Sequence, residues 1–265
     1  MINMRDFNIC FEICLNQEDV GMHIFFDKDG NILLNTKTNS IISEESENIG
    51  IAYKIFSSEK SALFISQKEN SSSEFIPLKQ RDVFKYLNNE SMLMIYSRAT
   101  QLYQWIYANN FCSITGKKLS PIKSDLSKEC VSCKKSYYPK LSPCILVAII
   151  SEDKILLAKH INSPFFTILA GFVEYGESLE ECVAREIKEE VGINVKDIRY
   201  FSSQTWPFPN QLMIGFTANA VEGKLKVDET ELETAGWFNK NELPSIPPGL
   251  SLSRKLIDYA INLLP

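Results

Sequence analysis

The sequence predicts an α+β protein in three parts: an N-terminal antiparallel α+β domain over residues 1–110, a small zinc-ribbon-like segment over 111–141, and a C-terminal α+β domain over 142–265. Three observations carry that expectation. Apolar runs separated by turn residues mark hairpins at both ends of the chain. A cysteine pair spaced C-x2-C stands in a lysine-rich stretch between them. Leu179, Val183, Ile187 and Val191 recur every four residues and are followed by Gly192, which marks an amphipathic helix over 178–190. A chain of 265 residues with 45% hydrophobic content suffices for two domains.

In chain order, residues 21–26 and 31–34 flank Asp27-Lys28-Asp29-Gly30, a strong turn signal. Residues 51–56 and 61–66 flank Ser57-Ser58-Glu59-Lys60 in the same way. The polar stretches 43–48 and 71–73 read as loops. Helical patterning follows over 78–87 and again over 92–110, where Ile95, Ala99, Leu102 and Ile106 form one stripe. Nothing before residue 77 suggests chemistry, so this part reads as a packing or dimerisation domain.

At 111–140 the composition changes. Cys112 is followed three residues later by Thr115 rather than cysteine, whereas Cys130 and Cys133 form a complete C-x2-C. In a zinc ribbon two such turns give four sulfurs to a tetrahedral Zn²⁺. Here the fourth is lost at Thr115, whose hydroxyl is a poor substitute for a thiolate. The spacing allows a three-cysteine site completed by water, or a ribbon that keeps its fold without metal around reduced, buried thiols. Seven lysines against two acids give the segment +5 and leave −10 for the rest of the chain. That asymmetry can steer an anionic substrate, and it equally describes a solvated loop surface.

The net charge of −5 excludes a protein that coats nucleic acid with its whole surface. The first seven residues are polar and charged, without the pattern of a signal peptide, and the longest apolar run, 144–150, is too short for a bilayer. Seven cysteines, an odd number, suit a reducing cytoplasm better than a disulfide framework. With only His23 and His160 present, both expected to be structural, any catalysis must rest on carboxylates and metal.

The C-terminal part opens with a hairpin expected over 144–150 and 154–160, around Glu152-Asp153. Residues 167–169 lead into the helix region, 193–203 read as a strand, and 211–221 with 224–227 read as a second hairpin through Glu222-Gly223. A proline-rich loop at 244–249 precedes a last helix over 251–264. Between these lies the pattern G-x5-E-x7-R-E-U-x-E-E-x-G-U, running from Gly171 to Ile193 with U a large apolar residue. Glu177, Glu180 and Glu181 suit the positive end of the helix, and Arg185 is spaced to pair with Glu181 and Glu189. Glu186, Glu189 and Glu190 instead crowd the negative end, where they repel by about a few tenths of a kcal/mol per pair. A hard divalent cation relieves that arrangement, because Mg²⁺ favours carboxylate oxygens and shares them with substrate phosphates.

This stretch resembles the signature box of the Nudix hydrolases at every defining position. The resemblance implies an α/β/α sandwich whose loop-helix-loop holds Mg²⁺ or Mn²⁺ and hydrolyses a diphosphate attached to a nucleoside. It makes Glu186, Glu189 and Glu190 the catalytic and metal-binding carboxylates, without saying which is the general base. It adds the Ala170 carbonyl and Glu231 as ligands and leaves Glu177 to secure the loop. A second stretch resembles S-Q-P-W-P-F-P-x-S of the NADH pyrophosphatase subfamily. Ser203, Gln204, Trp206, Pro207, Phe208 and Pro209 stand, while Thr205 replaces a proline and Gln211 a serine. The resemblance implies that Gln204, Thr205, Trp206, Pro207, Phe208, Pro209, Asn210 and Gln211 bind the dinucleotide, together with Tyr138 of Tyr137-Tyr138-Pro139 and with Ser253, where the subfamily has alanine. It also implies a homodimer and a four-cysteine zinc ribbon, from which this chain departs at Thr115. Physically, two aromatics stiffened by prolines suit stacking on a planar ring. They can also fill a core, although proline is awkward inside a strand.

These features point to a metal-dependent NAD(H) diphosphatase that cleaves NADH to reduced nicotinamide mononucleotide and AMP in the cytoplasm, with no membrane partner. NAD-capped RNA offers the same bond, and the lysines of 117–140 offer a path for its strand. A non-catalytic dinucleotide sensor is the third reading, disfavoured because binding alone has no use for mutually repelling carboxylates.

Overall fold

The computed structural model describes residues 7–14, 21–44, 51–68, 74–221 and 223–265. The chain divides into two units, Met1–Lys140 and Leu141–Pro265. In the first, strands β1 (Asn8–Cys14), β2 (Met22–Phe26), β3 (Ile32–Asn35), β4 (Ala52–Ser57), β5 (Ala62–Gln67) and β6 (Phe75–Leu78) form a sheet ordered β1-β4-β5-β2-β3-β6. Both expected hairpins are present. In the first, Asp27 Oδ1 accepts from the amides of Asp29 and Asn31, and Gly30 takes the left-handed conformation the turn requires (φ 83°). The parallel pairing of β2 with β5 has no local sequence signal. His23 is buried between the rings of Phe25 and Phe64, at 5.5 and 4.9 Å.

Helix α1 (Glu90–Ala108) is capped by Asn89, whose side chain accepts from the Met92 amide, and Ile95, Ala99, Leu102 and Ile106 are buried as the stripe requires. The helix expected over 78–87 does not form. Leu78 ends β6, with Phe75 and Leu78 buried against the sheet, and only a 3-10 turn, Asp82–Tyr86, follows. What remains of that window is too short to repay helix nucleation. The expected loop at 71–73 and part of that at 43–48 lie outside the described residues.

The ribbon carries β7 (Lys128–Glu129) and β8 (Ser136–Tyr137). Lys128 is buried and its ammonium donates to the carbonyls of Trp105, Ile106 and Asn109 at 3.1, 2.6 and 2.8 Å, closing the C-terminal end of α1 where a cation is favourable. Lys123 pairs with Glu129 at 2.9 Å. Two of the seven lysines counted toward a steering field therefore serve local structure.

The second unit is built on β9 (Ser142–Ser151). Ile145, Val147 and Ile149 point into one core while Leu146 and Ala148 point into another, so a continuous apolar run is buried on both faces. With β10 (Lys154–His160), β11 (Leu169–Phe172), β12 (Val195–Trp206), β13 (Gln211–Ala220) and β14 (Leu232–Asn239), it forms a sheet ordered β12-β13-β9-β10-β14, with β11 on β9. Helix α2 (Leu179–Val191) covers the first face through Val183, Ile187 and Val191, and α3 (Leu252–Leu263) covers the second through Leu252, Leu256 and Ile257. Each such side chain contributes about 1.5–3 kcal/mol by leaving water. The architecture is α+β, an α/β/α sandwich.

The expected hairpin of 211–221 with 224–227 is not formed. Both edges of β13 are occupied, by β12 antiparallel and β9 parallel, so no edge remains for a third strand. Residues 223–227 instead run past the end of α2, where the Lys226 amide donates to Val191 O at 2.9 Å; Glu222 lies outside the described residues. No helix among the described residues is long and apolar enough to cross a membrane.

Candidate functional site

The acidic site is framed by the two ends of α2. At the N-terminus, Ser178 Oγ accepts from the Glu181 amide and Glu181 accepts from the Ser178 amide, a reciprocal cap. Glu181 is thereby occupied and does not pair with Arg185, contrary to the spacing. Arg185 reaches back instead to Glu177 at 2.6 Å, and also contacts Glu186 and Glu189, each at 3.0 Å, and the Phe172 carbonyl at 3.0 Å. Glu177 further accepts from the Glu174 amide, and Arg185 with that amide holds its carboxyl down at about 2. One guanidinium thus ties the loop, the helix and the end of β11 together.

At the C-terminal half of α2 the carboxylates are not balanced. Glu186 lies flat against Gly171 on β11, one residue beyond Ala170; a Cβ there would stand 1.9 Å from Glu186 Cδ. Burial raises the Glu186 pKa against the pull of Arg185. Glu190 is 3% exposed, and its Oε2 has no hydrogen-bond partner among the described residues. Burial, then Glu186, Glu231 and Asp228, push its pKa up to about 8. Glu189 is exposed and held by Arg185. Glu231 comes from the turn before β14, which is fastened to α2 because the Asp228 amide donates to Glu190 O at 2.8 Å. The Ile161 amide steadies the same turn by donating to Glu231 O. Carboxylate oxygens, one of them buried without a partner among the described residues, suit a hard divalent cation chemically, but no three carboxylates among the described residues converge within 4.8 Å of one another as the ribbon's sulfurs do. Glu186, Glu190 and Glu231 could hold it, with the neighbouring carbonyl of Ala170.

The aromatic stretch closes β12 and turns into β13. Trp206 is the last residue of β12, Pro207 is buried, and Asn210 takes a left-handed φ of 56° before Gln211 opens β13. The rings of Trp206 and Phe208 meet edge to face at 6.3 Å and both are partly exposed. Thr205 lies in the same strand, opposite Leu212, and Pro209 is exposed at the turn. Asn210 Oδ1 is buried without a partner among the described residues, and Gln211 is buried. Gln204 binds the chain itself: its Nε2 donates to Leu250 O at 3.0 Å and its Oε1 accepts from the Leu252 amide at 2.8 Å. That bridge sets the start of α3, where Ser253 Oγ meets Thr167 Oγ1 at 2.5 Å. Tyr138 belongs to the other unit and is exposed.

The ribbon gathers Cys112, Cys130 and Cys133, whose sulfurs all lie within 4.8 Å of one another. Thr115 Oγ1 stands 3.3 Å from Cys130 Sγ, and the Tyr137 hydroxyl 3.0 Å from Cys112 Sγ. Burial disfavours a Cys112 thiolate, but Thr115, Tyr137 and the amides of Thr115 and Ile114 outweigh it and bring the pKa down to about 5. Three sulfurs gathered this closely fit a soft divalent ion.

Residues 140–260 match the NUDIX domain. The NAD-capped RNA hydrolase NudC of Photobacterium profundum is 43% identical over 178 residues, 66% of this chain and 67% of that protein. The chain belongs to the Nudix hydrolase family. The NAD-capped RNA hydrolase NudC of Salmonella paratyphi C is likewise 43% identical, over 64% of this chain and 67% of that one. A Nudix hydrolase crystal structure from Nitrosomonas europaea matches with a TM-score of 0.50 and 24% identity over 58% of this chain and 90% of that chain, a likeness of fold.

Two residues of this Nudix hydrolase were not singled out by sequence reasoning. Asp228 anchors the Glu231 turn, accepting from the Thr230 amide and hydroxyl at 2.9 and 2.7 Å; an Asp two residues before a Thr was the available signal. Thr167, the partner of Ser253, gave none.

Proposed function

We propose that this Nudix hydrolase cleaves the pyrophosphate of NAD(H), NADH and water giving reduced nicotinamide mononucleotide and AMP, with Glu186, Glu189 and Glu190 as its catalytic carboxylates. The observation that carries the reading is the buried Oε2 of Glu190, without a partner among the described residues, beside Glu186 and the Glu231 turn. Mg²⁺ or Mn²⁺, held by Glu186, Glu189, Glu190, Glu231 and the Ala170 carbonyl, would offset charge on the phosphoryl oxygens and make the attacking water more acidic. The chain's own groups do the positioning. Arg185 fixes Glu186 and Glu189 with their loop, and one of the three glutamates takes the proton of the water. The water oxygen joins one phosphorus as the bridging oxygen leaves with the other. Trp206 and Phe208 supply an aromatic wall for a base, closed by the 207–210 turn, and Gln204 sets the α3 end that carries Ser253.

Incubation with NADH and Mn²⁺ should release AMP, and Glu190→Gln should abolish release while keeping the fold. Near wild-type turnover by that variant would refute the assignment. A second reading places the same bond in NAD-capped RNA, favoured by the name of the relatives and by the exposed lysines Lys117, Lys118, Lys134, Lys135 and Lys140. Decapping should then weaken with added salt while NADH hydrolysis does not. A homodimer working in the reducing cytoplasm, where the seven free cysteines stay reduced, completes the proposal; light scattering tests the oligomeric state.

A further inference from the structure

The two turns of the ribbon repeat one another. Gly116 N donates to Cys112 O and Lys134 N donates to Cys130 O, both at 2.9 Å. Cys112 N donates to Lys117 O and Cys130 N donates to Lys135 O, at 2.8 and 3.0 Å. Gly116 and Lys134 both take left-handed φ values, 66° and 62°. Thr115 therefore occupies in the first turn the place that Cys133 occupies in the second.

The side chains agree with that internal correspondence. A tetrahedral ion with metal–sulfur bonds of about 2.3 Å has sulfur–sulfur edges of about 3.8 Å, and a mixed sulfur–oxygen edge is about 3.5 Å. Cys112 and Cys133 sulfurs are 3.7 Å apart, and Thr115 Oγ1 is 3.3 Å from Cys130 Sγ. Three corners are thiols, and a neutral hydroxyl stands beside the fourth. An aliphatic hydroxyl keeps its proton near neutral pH and is not among the usual protein ligands of zinc.

We propose that the ribbon of this chain is a three-thiolate zinc site whose fourth position, beside Thr115, is taken by an exchangeable water. Three thiol protons leave as the ion enters, and the site is one unit less negative than a four-thiolate one. An open position is what separates reactive zinc sites from closed structural ones. The consequence is a ribbon that gives up and regains its ion far more readily than a closed site.

The test uses the full chain in excess Mg²⁺, loaded with Zn²⁺ and then challenged with a chromophoric chelator. Replacing an outer hydrogen-bond partner already costs about 10–100-fold in metal affinity, so adding the missing ligand with Thr115→Cys should tighten binding at least about 100-fold. Thr115→Val should behave as wild type. Loading with Co²⁺ should give wild type a sulfur-to-cobalt absorption band that imidazole shifts, and Thr115→Cys a stronger band that imidazole leaves alone. A wild-type chain with no sulfur band, with a band insensitive to imidazole, or holding zinc as firmly as Thr115→Cys would overturn the proposal. NADH takes no part, so the result is independent of the hydrolase reading, and the cobalt spectrum of the wild type decides even where Thr115→Cys fails to fold.

Discussion

Gly171→Ala is the sharpest probe of the acidic site. The backbone at this position does not require glycine, since its φ lies outside the left-handed region; what it requires is room. An added Cβ would stand 1.9 Å from Cδ, 2.1 Å from Oε1 and 2.3 Å from Cγ of Glu186. Ordinary contact begins at 3.4 Å, so the carboxylate must retreat by about 1.5 Å. A displacement of about 1 Å in a reacting constellation costs about 10²-fold, so kcat/KM for NADH should fall at least that far, about 2.7 kcal/mol of transition-state stabilisation. Stability should suffer less. The clash is with a side-chain end rather than backbone, and overpacking of that kind costs about 1–3 kcal/mol. Steady-state hydrolysis at saturating Mn²⁺ measures the first quantity, a thermal melt without metal the second, and Mn²⁺ titration by electron paramagnetic resonance should show weakened binding. A variant that folds normally and hydrolyses NADH at the wild-type rate would refute the claim that Glu186 works where it lies.

Glu190→Gln should stabilise the metal-free protein. The folded pKa of about 8 lies above the ordinary 4.5, so the wild type loses stability as pH rises from 4.5 through 8, and the variant does not. Melts in chelator should show a gap of about 1–3 kcal/mol opening across that window, and excess Mn²⁺ should close or reverse it. Arg185→Ala releases Glu177, Glu186 and Glu189 together, so kcat/KM should drop by about 10–100-fold; Arg185→Lys should recover little, because a point charge cannot span the three. Lys128→Ala leaves three carbonyls at the end of α1 uncapped and should cost about 2–3 kcal/mol, read as faster amide exchange over residues 105–110.

The box helix was legible because its determinants are local: Ser178 caps it, Gly192 ends it in a left-handed φ of 75°, and the apolar stripe fixes its buried face. The spacing gave the Arg185 pair with Glu189 correctly and the pair with Glu181 wrongly, because helical spacing sees only the helix. Glu181 is engaged by the cap, and Glu177 in the preceding loop has two oxygens for the guanidinium. The hairpin through Glu222-Gly223 failed for a similar reason. A turn signal and apolar alternation cannot report that β13 has already found two partners, one of them the parallel β9 from far earlier in the chain. Gln204 looked like a ligand donor because its motif is about ligands, yet both ends of its amide hold the entry to α3.

The acids of the second unit divide in a way that folding alone does not explain. Two near the start of α2 have protein partners: Glu181 has Ser178 and Glu177 has Arg185, with the Glu174 amide. Glu189 shares the same arginine from the exposed face, and Glu186 shares it while being raised by burial. Glu190, most deeply buried, has no cation partner among the described residues, and the turn bearing Asp228 and Glu231 is bonded directly onto its carbonyl, bringing more negative charge to the negative end of the helix. A protein selected only for stability would place a lysine there or exchange Glu190 for an apolar residue, since a buried ion without a partner costs several kcal/mol. The structure does the opposite and uses a tight turn to hold the repelling group in place. Without metal the burden is met by a proton, which Glu190 keeps up to a pH of about 8; a divalent cation is what would let the group ionise in place, so the expected metal requirement lies where the neutralised acids end and the unneutralised ones begin.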